Sequence, residues 1–76
     1  MKMKADVDDY IKATIPLRES LQTLVNLSSN LYEDLTASGA APEDWEEQLA
    51  VIEAQFQTVL TAKWHYKTFE STHEEI

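Results

Sequence analysis

Two long segments of the chain carry apolar residues at the spacing of an amphipathic helix. The first segment has leucines separated by four and three residues, at Leu17, Leu21, Leu24, Leu27, Leu31 and Leu35. The second repeats the pattern with Trp45, Leu49, Ile52, Phe56, Val59, Leu60, Trp64 and Tyr66. At about 100° of rotation per residue, each apolar stripe covers roughly 160° of its helix. The pattern therefore predicts two long amphipathic helices.

A single glycine separates the two segments. Gly39 is the only glycine in the 76 residues, and glycine accepts the positive φ that commonly ends a helix. Pro42 follows three residues later, where it suits the first turn of a new helix. These features predict an all-α fold, an antiparallel helical hairpin with long helices at about 17–37 and 42–69.

The N-terminal residues predict a third, shorter helix at about 6–14. Asp6, followed by Asp9, is typical of a helix start. Pro16 disfavours helical geometry at the residue before it and lacks a backbone donor, so we expect a break or a sharp kink there. One continuous, kinked helix is the alternative. Residues 71–76 lose the apolar period and are expected to fray. Together these elements predict a single helical domain over residues 1–76.

The stripes are wider than a two-helix contact needs. Each helix of a hairpin offers one seam to the other, so apolar residues at the margins of a 160° stripe stay uncovered and predict a binding surface. The expected partner-binding residues are Val25, Tyr32, Trp64, Tyr66 and Phe69. Two alternatives bury the same stripe: the first helix, with Val7, Tyr10 and Ile11, completes a three-helix bundle, or two chains form a homodimeric four-helix bundle.

Composition narrows the class of partner. Fourteen acidic residues against six basic ones give a net charge of −8, so nucleic acid is an unsuitable ligand. There is no cysteine to form a disulfide or a thiolate metal site. We find neither an apolar run long enough to span a membrane nor a signal peptide, and therefore expect a cytoplasmic protein without membrane association.

Residues with the chemistry of catalysis are sparse. Glu70 and His73 have the spacing of a carboxylate–imidazole motif from di-iron bundles, but such sites need the motif twice and two further glutamates. His65 stands alone between two aromatic residues, and no glycine-rich loop or nucleophile elbow is present. We therefore expect no catalytic, metal or cofactor site, and no enzyme activity.

One stretch of the sequence, from the turn into the second helix, resembles a known family. Residues Ser38-Gly39-Ala40-Ala41-Pro42-Glu43-Asp44-Trp45, then Leu49, Ile52-Glu53-Ala54, Leu60 and the cluster Trp64-His65-Tyr66, resemble the turn and last helix of the small co-chaperones for the type III secretion needle subunit. Trp45 stands where that family usually has tyrosine, and Asp44 where glutamine is common. The resemblance covers roughly residues 38–66.

The resemblance implies a concrete role. Such a co-chaperone is a helical hairpin that binds a chaperone built of tetratricopeptide-like repeats, and together they keep the needle subunit monomeric before export. The competing hypotheses are a small acidic helical inhibitor, for example one encoded by a phage, that blocks a basic groove of its target, and a self-contained homodimeric bundle. An inhibitor of that kind would depend on Glu43, Asp44, Glu46 and Glu47 and would lose affinity with salt.

Overall fold

The computed structural model describes residues 2–75 and confirms the all-α hairpin of two long helices. Helix α1 spans Val7–Ser38 and helix α2 spans Trp45–Thr72. Short strands precede and follow them, β1 at Met3–Ala5 and β2 at His73–Glu75. The helices pack along their length in antiparallel order, with Tyr10 near Phe69 at the open end and the turn at Gly39.

Helix α1 begins where the aspartates predicted. The amide of Asp9 donates to Oδ1 of Asp6 at 2.9 Å, and the amide of Asp6 donates to Oδ2 of Asp9 at 3.1 Å. This reciprocal capping box satisfies two backbone donors that a helix start otherwise leaves free. A carboxylate there also interacts favourably with the positive end of the helix dipole.

The separate N-terminal helix predicted at 6–14 is wrong, because α1 runs continuously through Pro16. Proline removes the amide donor for the carbonyl of Lys12, four residues earlier, and polar side chains bond the adjacent carbonyl. The carbonyl of Ile11 accepts a hydrogen bond from Oγ1 of Thr14 at 2.7 Å and from Nη2 of Arg18 at 3.4 Å. Packing of Tyr10 against Phe69 of α2 also holds the first turns in line with the rest of the helix.

The reversal between the helices occurs at Gly39, as predicted, with φ of 69°. Helix α2 then begins at Trp45, three residues later than predicted. Pro42 lies in the preceding turn instead of the first helical turn, and its carbonyl accepts the amide of Trp45 at 3.2 Å. Residues 39–44 therefore connect the two helices, and the turn from Pro42 to Trp45 leads into α2.

The contact between the helices follows a coiled-coil pattern. The less exposed positions recur with alternating spacings of three and four residues, which is the period of a seam between two helices. On α1 these seam positions are Tyr10, Ala13, Leu17, Ser20, Leu24, Leu27 and Leu31. On α2 they are Gln48, Ile52, Gln55, Val59, Ala62, Tyr66 and Phe69. One stripe per helix therefore closes the hairpin.

The molecule is a single layer of two helices. Its extents are 55 × 18 × 11 Å and its radius of gyration is 17.2 Å, whereas a compact chain of this length would have about 11 Å. It exposes 5792 Å², against about 4,700 Å² for a compact monomer of the same mass. Because residues 2–75 form no third helix across the hairpin, the three-helix bundle alternative is also wrong.

The two termini meet at the open end of the hairpin. Strands β1 and β2 pair in parallel, with Met3 opposite His73, and the buried Ala5 is only 1% exposed. Nζ of Lys4 lies 2.9 Å from Oε1 of Glu74. The fraying expected after residue 70 is therefore wrong for 71–75, because the first residues of the chain supply the pairing; Ile76 lies outside the described residues.

Candidate functional site

One side of the hairpin layer carries most of the uncovered apolar side chains. On α1 a second alternating stripe lies about 100° around the helix from the seam, and α2 presents a matching stripe on the same side. We call this surface the apolar face, formed by Val7, Ile11, Leu21, Val25, Tyr32, Leu35, Leu49, Phe56 and Leu60. All of these except Leu60 are large hydrophobic residues that the structure leaves exposed.

A groove runs between the helices on the apolar face. It has a volume of about 600 Å³ and lies at mid-length of the hairpin. Its lining residues are Leu24, Ser28, Ile52, Glu53, Phe56 and Gln57. Four of them come from α2 and two from α1, so the groove exists only because the two helices are held side by side.

The other side of the layer is different in character. Its groove is smaller, about 240 Å³, and combines two apolar with two amide side chains: Leu27, Asn30, Gln48 and Val51. The helical positions flanking this groove are mainly polar, and we call them the polar face: Lys12, Glu19, Thr23, Asn26, Asn30, Thr58, Thr61, His65 and Thr68. The hairpin thus has one apolar and one largely polar side.

Two of the five predicted partner-binding residues lie on the apolar face. Val25 is 56% exposed and Tyr32 is 68% exposed. They are separated by seven residues, which is two helical turns, so they stand on the same side of α1. Tyr32 lies nearer the turn and Val25 nearer the groove.

Trp64 is also exposed, at 60%, but it belongs to a different environment. Its ring lies 5.7 Å from Nζ of Lys63 and 4.8 Å from Nζ of Lys67. Both distances are typical of cation–π contacts, and these cations lie over the indole of an otherwise acidic helix. Trp64 therefore stands apart from Val25 and Tyr32, on the outer side of α2 toward the open end.

Tyr66 and Phe69 are not the uncovered margin that the sequence predicted. Both occupy seam positions and are half-buried. The Phe69 ring meets Tyr10 edge-on at 5.0 Å, and it stacks with His73 at 4.1 Å and with Tyr66 at 6.3 Å. The cause is the continuity of α1 through Pro16, which brings Tyr10 onto this part of α2. We call these four residues the aromatic cluster.

Sequence reasoning missed several residues of the apolar face, chiefly Leu21 and Phe56. Both belong to the stripes of about 160° but are not among the five predicted partner-binding residues. A signal was nevertheless present: once Leu17, Leu24 and Leu31 are placed in one seam, Leu21 and Leu35 belong to a second one. A 160° stripe is two adjacent seams, and only one of them is used within the hairpin.

The described residues offer little for metal or acid–base chemistry. Between residues 2 and 75, no group of three histidine or acidic side chains has the geometry to hold a metal ion. Nδ1 of His73 lies 3.0 Å from the carbonyl of Phe69 and 3.0 Å from Oγ1 of Thr72, both in the last turn of α2. His73 therefore caps α2 and packs in the aromatic cluster.

The acidic residues after the turn cluster around the start of α2. Oδ1 of Asp44 accepts a hydrogen bond from Nε2 of Gln48 at 3.0 Å, and Glu43, Glu46 and Glu47 are exposed. Glu46 and Glu47 lie in the first turn, where the helix dipole favours negative charge. This placement gives them a structural role that requires no ligand.

Neither helix within residues 2–75 is both long enough and apolar enough to cross a membrane. Comparison with family models, curated proteins and solved structures gave no match. The co-chaperone resemblance of residues 38–66 consequently stays a prediction. The physical character of the apolar face is therefore the basis for a functional conclusion.

Proposed function

We propose that this protein works by binding another helical protein through its apolar face. The observation that carries the proposal is the concentration of eight exposed large hydrophobic residues on one side of a single-layer hairpin. The chain exposes roughly 1,000 Å² more surface than a compact monomer of its mass. Exposed hydrophobic residues gathered on one side of a small protein are typical of an interaction site.

The shape and spacing of the face favour a helix as the occupant. Apolar side chains stand in two stripes, one on each helix, with the groove between Leu24 and Phe56 separating them. A third helix laid along such a groove meets apolar side chains from both helices at mid-length, which is the mode in which amphipathic helices bind. Docking also stabilises a hairpin that buries few residues of its own.

The specific role that the resemblance implies is that of a cytoplasmic co-chaperone. In that role the hairpin docks on a chaperone of tetratricopeptide-like repeats, which are themselves helical, and the pair keeps a needle subunit from polymerising. The turn at Gly39 and Pro42 and the uncovered apolar face both support this role. Binding by complementary surfaces needs no catalytic group, so the protein acts without enzyme activity.

The test compares matched variants of the two faces. We expect Leu21→Lys and Phe56→Lys, on the apolar face, to abolish recovery of the partner when the tagged protein is purified from its native cells. Thr23→Lys and Thr58→Lys add the same charge to the polar face and should leave recovery unchanged. Circular dichroism of each variant checks that the helices remain. Equal recovery with both pairs would contradict the proposal.

Salt dependence separates this function from that of an acidic inhibitor. Apolar contacts persist at high ionic strength, whereas exposed charge interactions are screened beyond about 10 Å at 0.1 M salt. We expect the complex to survive about 1 M salt and to tolerate Glu43→Gln combined with Glu47→Gln. Loss of the complex under either condition would favour the inhibitor hypothesis.

A further inference from the structure

We propose that a second copy of this chain covers the apolar face when the protein is free, giving an antiparallel four-helix bundle. The inference rests on the proposed function, because it assigns an occupant to the same surface. In this dimer two hairpins stack face to face, α1 lies on α1 and α2 lies on α2, and the two-fold axis crosses both helices at mid-length. A helical partner then binds by displacing the second copy.

The stripe of α1 is self-complementary about Leu21. When two such helices run antiparallel with Leu21 opposite itself, apolar residues meet apolar residues at both ends, as Val7 faces Leu35 and Ile11 faces Tyr32. The two small hydroxyl residues, Thr14 and Ser28, also face each other. Arg18 faces Val25, and its aliphatic stem can lie along the valine while the guanidinium reaches solvent.

The stripe of α2 is self-complementary about Gln55. In the same antiparallel arrangement Leu49 faces Leu60, and Glu46 near one end stands opposite the second copy's Lys63. Glu43, in the turn before α2, lies toward the second copy's Lys67. At the centre Glu53, which lines the groove, lies beside the second copy's Phe56. These lysines are the only basic residues after Gly39, so the limited positive charge of this half falls where the dimer needs it.

A single axis satisfies both helices. Nε2 of Gln55 lies 2.8 Å from the carbonyl of Ser20, so Gln55 and Leu21 stand at the same height along the hairpin. An axis placed at Leu21 to satisfy α1 therefore passes Gln55 and satisfies α2 as well. The centre of each stripe follows from the residues of that helix alone. That the two centres lie at the same height is the main support for the dimer.

The alternative two-fold axis, parallel to the helices, pairs the stripes badly. Rotation about this axis places α1 of one copy over α2 of the second copy. At mid-length this axis still pairs apolar residues, Leu21 with Phe56. Toward both ends, however, Val7 lies near Glu70, Ile11 near the two lysines and Tyr32 near Glu46. These end contacts set apolar side chains against charges that must be desolvated, which costs free energy.

The size of the face suits a stable dimer. The layer measures 55 × 18 Å, which offers roughly 1,000 Å² per chain, and a specific interface typically buries about 800 Å² per partner. The stacked pair is also two helical layers thick, so the apolar face becomes a core with the thickness of an ordinary four-helix bundle.

The absence of cysteine makes disulfide trapping a clean test. Leu21→Cys places a thiol next to its own symmetry mate, so mild oxidation should link most of the protein into dimers. Thr14→Cys and Ser28→Cys should each remain unlinked alone, because 14 residues of helix separate identical positions by about 21 Å. Mixing those two variants should link them to each other. Asn30→Cys, on the polar face, is the matched control and should stay unlinked.

Sedimentation equilibrium of the unsubstituted protein provides the second measurement. We expect the mass of two chains, and the mass of one chain for Leu21→Lys with its helical circular dichroism retained. A one-chain mass at every concentration, or a dimer that links at Asn30→Cys and not at Leu21→Cys, overturns the inference. If the protein is monomeric but Leu21→Lys still abolishes partner recovery, the dimer fails alone. If it is dimeric and recovery is unaffected, the proposed function fails alone.

Discussion

Nε2 of Gln55 donates a 2.8 Å hydrogen bond to the backbone carbonyl of Ser20, joining the two helices at mid-length. Ser20 is buried, and its hydroxyl donates to the carbonyl of Leu17 at 2.9 Å. A polar pair inside an otherwise apolar seam fixes the register of the helices at some cost in stability. The residues that end up on the apolar face are determined by that register.

Two replacements of Gln55 should show that this residue fixes the register of the helices more than it stabilises them. Gln55→Ala removes both the hydrogen bond and packing and should lower the free energy of unfolding by about 1–2 kcal/mol. Gln55→Leu should equal or exceed the original stability, since the carbonyl of Ser20 keeps its helical hydrogen bond, but it should yield more than one oligomeric species. Urea unfolding at fixed protein concentration and sedimentation velocity measure the two effects. A leucine variant as unstable as the alanine variant would contradict this account.

The aromatic cluster should stabilise the open end of the hairpin. Phe69→Ala removes a half-buried ring and should lower the free energy of unfolding by about 2–3 kcal/mol. Combining it with Tyr10→Ala in a double-mutant cycle should give a coupling of about 0.5–1.5 kcal/mol. Trp64→Ala is the matched control, because that ring is exposed and should cost about 0.5 kcal/mol or less. Equal losses at positions 64 and 69 would show that the cluster contributes nothing special.

Replacing each of the two prolines by alanine should change the free energy of unfolding in opposite directions. Pro16 lies inside α1, where proline is less favourable than alanine by about 3 kcal/mol, so Pro16→Ala should raise the free energy of unfolding by about 1–3 kcal/mol. Pro42 lies in the turn, where a restricted φ stabilises the folded state, so Pro42→Ala should lower it by about 0.4–1 kcal/mol. Thermal unfolding of the two variants gives the comparison. No gain at position 16 would indicate that α1 is interrupted there in solution.

Gly39 should be sensitive to substitution for a purely conformational reason. Its φ is 69°, and a Cβ added there meets no atom within 4 Å. Gly39→Ala should therefore cost about 1 kcal/mol from backbone strain alone, and Gly39→Asn should cost less, because asparagine tolerates left-handed geometry. Chemical unfolding of the two variants measures the difference. Equal losses for alanine and asparagine would indicate steric crowding instead.

The helices and the reversal between them follow from local features that a sequence displays openly. Apolar residues at alternating spacings of three and four define the two amphipathic segments. Gly39 lacks a Cβ and therefore accepts the observed φ at the end of α1, and the reciprocal bonding of Asp6 and Asp9 marks the start of that helix. Such interactions join residues three or four apart, so no knowledge of the rest of the chain is needed to recognise them.

Other features depend on contacts between residues distant in the chain. The first turns of α1 pack against α2 through Tyr10 and Phe69, and the terminal strands pair because the hairpin brings Met3 beside His73. The same folding decided which apolar residues stay exposed: Tyr66 turned inward and Tyr32 outward, although both fit a helical stripe. The periodicity of the sequence shows which side chains form the apolar stripe. The register of the packed helices determines which of the two adjacent seams in that stripe is buried.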